Sequence, residues 1–162
     1  MNLNELLIAH GLLTGYSTLF IGKYDSGAGL LKYVNCGQEP AMIWHAASGE
    51  VEALGPTGPV LGVLEDAVYS EESSLLDTGD ALAIFTDGLT EIGPSHLKML
   101  GNAGVAALLK QSSCIPQADG FPLSADSLVE RLMDGVNAFG QDGARDDMCL
   151  LVGIVTGQMQ ED

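Results

Sequence analysis

The chain has 162 residues, enough for one domain with a real core, and 46% of them are hydrophobic. Its net charge of −16 arises because 22 acidic residues face only 6 Lys and Arg. That balance argues against nucleic acid and anionic membrane surfaces as partners, since both need clustered basic side chains; it suits divalent cations, but by itself it reads first as an aid to solubility.

Asn2 to Leu13 reads as a short helix, capped by Asn2 or Asn4, with Leu3, Leu6, Leu7 and Leu13 spaced for a buried face. Tyr16 to Tyr24 reads as a strand, followed by the turn cluster Asp25 to Gly29 and a second strand, Leu30 to Cys36, which together predict a hairpin. Ala41 to His45 and Val51 to Leu54 read as short strands joined at Ser48-Gly49. Gly55 to Pro59 is a loop. Strands at Tyr69 to Leu76 and Ala81 to Thr86 follow, and the short turn Asp77 to Asp80 between them predicts an antiparallel pair.

A helix is expected over Ala103 to Gln111 and a polar loop over Ser112 to Pro122. Ser124 to Phe139 has the strongest helical pattern. Leu128, Leu132, Val136 and Phe139 share a face, Ser124 or Ser127 caps it, and Ser127 with Glu130 forms a capping-box pattern. Met148 to Val155 is the last strand. Residues 1–157 read as one domain and 158–162 as a polar tail. Strand blocks interrupted by helices, with tight hairpins, predict an α+β fold with mainly antiparallel sheet.

Cys36, Cys114 and Cys149 are widely spaced and form no Cys-x-x-Cys pair, so neither a disulfide framework nor a zinc site is expected, and a reducing cytoplasm is. No signal-peptide pattern follows Met1, and no apolar run is long enough to span a bilayer. His45 reads as a strand residue, His96 as a loop residue, Trp44 as core and Cys149 as a small buried strand residue.

Chemistry concentrates in two acidic segments. Asp87-Gly88 follows the strand Ala81 to Thr86, and Asp146-Asp147 precedes the strand Met148 to Val155. If these strands are antiparallel neighbours, both carboxylates come to one sheet edge. Carboxylates brought together repel and want a cation, and hard Mg²⁺ or Mn²⁺ suits oxygen ligands. Gly88 would let the backbone turn sharply after the ligand and leave room for a hydrated ion. On spacing alone, Asp-Gly also reads as a plain turn and Asp-Asp as a solvated strand cap.

Five blocks in order resemble the PPM metal-dependent serine/threonine phosphatases of the SpoIIE and stress-response type. They are Thr18-Leu19-Phe20, Tyr33 to Pro40, Gly58 to Val63, Thr78-Gly79-Asp80 with Phe85 to Glu91, and Arg145 to Leu151. The resemblance implies an antiparallel PPM-like β-sandwich flanked by helices. It implies that Asp87 and Asp146 ligate Mn²⁺ or Mg²⁺, with Gly88 and Asp147 supporting them. The implied reaction is metal-activated attack of water on phosphoserine of a signalling protein, such as an anti-sigma-factor antagonist.

The family's Asp-x-x-Gly-His-Gly block is not found in the chain, Gln38 stands for its usual His, and Cys149 for its usual Thr. The expectation is therefore an N-terminally incomplete domain, completed by a partner chain or an upstream domain. Its alternatives are a catalytically impaired PPM-like module that binds a signalling partner, and a plain α+β domain whose acidic turns are structural.

Overall fold

The structure is a computed structural model describing residues 3–10, 15–94, 98–115, 122–140 and 147–157. The chain divides into two compact units, Met1–Pro40 with Leu54–Leu76, and Ala41–Ala53 with Asp77–Asp162.

The first unit holds helix α1 (Leu3–Ala9) and strands β1 (Leu19–Asp25), β2 (Leu30–Cys36) and β5 (Glu72–Leu75), ordered β1-β2-β5 and antiparallel throughout. The predicted hairpin is present, pairing Leu19 with Cys36 and Asp25 with Leu30. Asp25 Oδ1 accepts the Gly27 and Ala28 amides and so closes its turn. Alternation buries Leu31, Tyr33 and Asn35, and the Phe20 ring stacks on Tyr33 at 5.5 Å between centroids.

Three expectations shift in this unit. Strand β1 begins at Leu19 rather than Tyr16, because Ser17 bridges to Leu61 and the Thr18 hydroxyl bonds Gln38 Oε1 at 2.6 Å. In α1, Leu3 is 45% exposed while Asn4, expected as a cap, is buried. The Asn4 carboxamide donates to Leu64 O and accepts the Gly62 amide, both at 2.8 Å, so a polar side chain is the residue that fits inside. Strand β5 pairs with β2 instead of forming a hairpin with the strand after it.

The second unit is built on the four-stranded antiparallel sheet β4-β3-β6-β7, with β3 (Ala41–Trp44), β4 (Val51–Leu54), β6 (Ala81–Phe85) and β7 (Leu150–Ile154). Helices α2 (Asp87–Thr90), α3 (Gly101–Cys114) and α4 (Ala125–Gly140) accompany it. The core joins Met42, Trp44, Ala83 and Phe85 of the sheet to Val105 and Leu109 of α3 and to Leu128, Leu132 and Val136 of α4. The i, i+4, i+8 spacing of those α4 residues is what places them on one buried face.

Helix α4 starts where Ser124 Oγ accepts the Ser127 amide at 3.2 Å, so Ser124 is the cap and the Ser127–Glu130 pattern lies inside the helix. Helix α3 runs longer than expected, to Cys114, because its end is held. Arg131 Nη1 donates to the carbonyls of Ser112 at 3.0 Å and Ile115 at 2.7 Å, groups that a helix end leaves unpaired. The predicted α+β class and antiparallel sheets are thus both found: the described residues form two sheets and four helices. The expected tail, 158–162, and His96 lie outside the described residues.

Candidate metal centre

Strands β6 and β7 are antiparallel neighbours, pairing Ala81 with Ile154 and Phe85 with Leu150. The end of β6 and the entry to β7 therefore share one sheet edge. Asp87 stands on that edge as the first residue of the short helix α2, with its side chain exposed. Among the described residues, no hydrogen bond engages its carboxylate. Asp147 is exposed on the facing segment. Asp146 lies outside the described residues.

The two segments are locked together at the backbone. The Thr86 amide donates to Cys149 O at 3.1 Å. The Thr86 hydroxyl donates to Asp147 O at 3.2 Å and accepts the Cys149 amide at 2.9 Å. Gly88 is buried between them. A Cβ there would sit 2.6 Å from Asp147 O and 3.0 Å from both Asp147 C and Met148 Cγ. The glycine is thus required by close approach of the Asp147 backbone, and not by the sharp turn expected from the sequence.

Helix α2 was not legible as a helix. It forms because the Thr86 carbonyl accepts the Leu89 amide at 3.1 Å, and Asp87 O accepts both the Glu91 amide at 2.8 Å and the Thr90 hydroxyl at 2.9 Å. Leu89 and Ile92 are then buried in the core and anchor the turn from below.

Asp80 belongs to a different structure. It precedes β6, so it stands at the opposite end of the strand from Asp87, roughly 20 Å away at ~3.3 Å per residue. Its side chain is 3% exposed. Oδ1 accepts the Ala46 amide at 2.8 Å, and Oδ2 accepts the Asp77 amide at 3.0 Å. Gly79, at φ +97°, makes the left-handed turn that lets Asp80 fold back on its own loop. His45 Nδ1 lies 2.9 Å from Asp80 Oδ2, and Nε2 lies 3.1 Å from Glu52 Oε2.

The sequence reading of His45 as an ordinary strand residue is corrected here: it follows β3 and sits between two carboxylates. Cys149 is likewise exposed rather than buried, because it precedes β7 instead of lying within it. Trp44 is core, as expected.

Asp87 and Asp147 offer carboxylate oxygens, which suit a hard divalent cation. Among the described residues, no group of three or more His, Cys, Asp or Glu side chains converges. No helix among them is long and apolar enough to cross a membrane.

This arrangement of sheets and helices is that of a PP2C-type phosphatase domain. It is similar to the SiaA-PP2C domain of Pseudomonas aeruginosa, with a TM-score of 0.72 at 18% identity, covering 94% of this chain and 57% of that one. It is also similar to the RsbU and RsbW domains of Rv1364c from Mycobacterium tuberculosis, with a TM-score of 0.68 at 25% identity, covering 88% of this chain and 38% of that one. Residues 1–155 match the family described as Stage II sporulation protein E (SpoIIE), and the chain belongs to that family. In sequence it is 24% identical to the phosphoserine phosphatase RsbU of Bacillus subtilis over 151 residues, 93% of this chain and 42% of RsbU. The chain spans less than half the length of that relative.

Proposed function

We propose that this chain is a metal-dependent protein serine/threonine phosphatase domain acting on phosphoserine of a bacterial signalling protein, such as an anti-sigma-factor antagonist. In this reading Asp87 and Asp146 hold Mn²⁺ or Mg²⁺, and Gly88 and Asp147 support them. The observation that supports it is the antiparallel β6–β7 pair, with the Asp87 turn packed against the backbone of Asp147. A bound divalent cation would supply an acidified water and neutralise phosphoryl charge.

The chain's own contribution is positional. Core residues Phe85, Leu89 and Ile92 fix the backbone of the Asp87 turn. The exposure of the Asp87 side chain leaves it open to a cation and to a phosphorylated protein segment. The scarcity of basic residues makes the domain dependent on a cation for charge complementarity to phosphate.

The test is Mn²⁺-dependent phosphate release from a phosphoserine protein by the full chain and by Asp87→Asn. Metal-dependent turnover lost by at least ~100-fold in the variant is expected, as for loss of a group acting in the transition state. Equal turnover in both proteins would overturn the assignment of Asp87. Phosphoprotein binding with no hydrolysis in either would favour the binding module over the enzyme.

A further inference from the structure

We infer that Thr86 is the positioning residue of this metal centre: its hydroxyl replaces its own carbonyl in the β6–β7 ladder and so sets how far apart the two acidic segments stand. The inference rests on the reading of Asp87 as a cation ligand.

In a hydrogen-bonded antiparallel pair, each residue donates its amide to, and accepts at its carbonyl from, the residue opposite. Beyond Phe85 and Leu150 the next pair is Thr86 and Cys149. Half of that exchange is made, with the Thr86 amide donating to Cys149 O at 3.1 Å. The other half is not made by the backbone, because the Thr86 carbonyl accepts the Leu89 amide and starts α2. The Cys149 amide donates instead to Thr86 Oγ1 at 2.9 Å.

The same hydroxyl then donates to Asp147 O at 3.2 Å. One hydroxyl has one proton and accepts at its lone pairs, so both contacts are compatible at once. The chain can therefore leave the sheet at Thr86 to form the turn that carries Asp87 while the facing strand stays tied to it.

Only a hydroxyl on a short stem can serve here. Valine has the same shape but neither donates nor accepts, and it would leave the Cys149 amide and Asp147 O to water. Serine keeps the hydroxyl and loses one methyl. Gly88 makes the same seam independently tight, since a Cβ there meets Asp147 O. The spacing of Asp87 from Asp147 is thus set at Thr86, and residues that orient ligands in this way typically change metal affinity by about 10–100-fold when removed.

The experiment compares the full chain with Thr86→Val, Thr86→Ser and Asp87→Asn. Amide hydrogen exchange at Cys149, without metal, reads the seam itself. Mn²⁺ titration by calorimetry reads its effect on the site. Thr86→Val is expected to expose the Cys149 amide to faster exchange and to weaken Mn²⁺ binding by about tenfold or more, with Thr86→Ser restoring both to within about threefold. Unchanged Mn²⁺ affinity in Thr86→Val, with binding still lost in Asp87→Asn, overturns the positioning role and leaves the site reading intact. Mn²⁺ binding that is absent, or indifferent to Asp87→Asn, removes the site reading and this inference with it. If Thr86→Val does not fold, Thr86→Ser decides: tenfold weaker Mn²⁺ binding with its hydroxyl retained counts against the inference, and near-native affinity supports it.

Discussion

His45 Nδ1 lies 2.9 Å from a carboxylate oxygen of buried Asp80 while its other ring nitrogen lies 3.1 Å from Glu52. A neutral imidazole has one N–H and can satisfy only one of these carboxylates. Both contacts together require the imidazolium. The cation in turn offsets the charge of a carboxylate with 3% exposure, and links the β3–β4 turn to the entry of β6.

A pH dependence of stability follows. Burial pulls the His45 pKa down, but the hydrogen bonds and charges of Asp80 and Glu52 together outweigh burial and raise it above the ordinary value of 6.5. A raised folded-state pKa means the native protein binds the proton more tightly than the unfolded chain. The stabilisation is therefore complete below about pH 6.5 and is lost as pH rises through the raised value. Thermal melts of the full chain and His45→Gln across pH 5.5–9 check this. The difference in Tm is expected to be largest at the acidic end and to shrink steadily above pH 6.5; a constant difference would overturn it.

Asp80→Ala tests the knot more severely. The substitution leaves the Ala46 and Asp77 amides without their acceptor and His45 without its buried partner. Ala46 and Asp77 are exposed, so water can replace the acceptor for their amides, and the main loss is the charge-assisted bond to His45, about 1.5–3 kcal/mol. A loss of more than about 2 kcal/mol in urea unfolding is expected, with Asp80→Asn intermediate because its amide oxygen still accepts one bond. Mn²⁺ affinity is expected to stay near native in any Asp80 variant that folds, because Asp80 and Asp87 stand at opposite ends of β6.

The core gives a simpler expectation. Leu132 is 2% exposed between α3 and the sheet, so Leu132→Ala deletes buried methyl groups with little room to collapse. A destabilisation of about 2–5 kcal/mol by urea unfolding is expected, against less than about 0.5 for an exposed control such as Asn137→Ala.

How much was legible can be read from single residues. Strands β2 and β4 appear at their expected limits because alternation or a short apolar run is bounded by glycine on one or both sides. Leu128, Leu132 and Val136 were visible through helical spacing alone. The pairing of β5 with β2 was not visible, since a four-residue turn says nothing about which sheet the next strand joins. Asn4 was misplaced because its partners, Gly62 and Leu64, lie far along the chain.

At the site, Asp87 was legible as a carboxylate ending an apolar strand. Asp80 was legible only as part of a turn, and its tie to His45 depends on β3 and β6 being neighbours, which local sequence does not specify. Thr86 was overlooked as a functional residue. Its signal was present, a hydroxyl side chain at the last position before the acidic turn, but a threonine ending a strand is ordinary until the carbonyl is seen to be diverted into a helix.

Gly88→Ala separates the two reasons for a glycine beside the candidate ligand. If Gly88 served only backbone freedom, alanine would be mild, because the residue lies within α2 and no left-handed φ is required there. Close approach predicts otherwise. The added Cβ would sit 2.6 Å from Asp147 O, a backbone atom that cannot yield without moving the seam. Overpacking of this kind costs about 1–3 kcal/mol. Gly88→Ala is therefore expected to lower stability by about that amount and to weaken Mn²⁺ binding, as read by the rise in Tm with added metal, because a ligand that favours the folded state raises stability by mass action. A variant with native stability and an unchanged Mn²⁺-induced shift would show that the two acidic segments are not held at the spacing the geometry gives them.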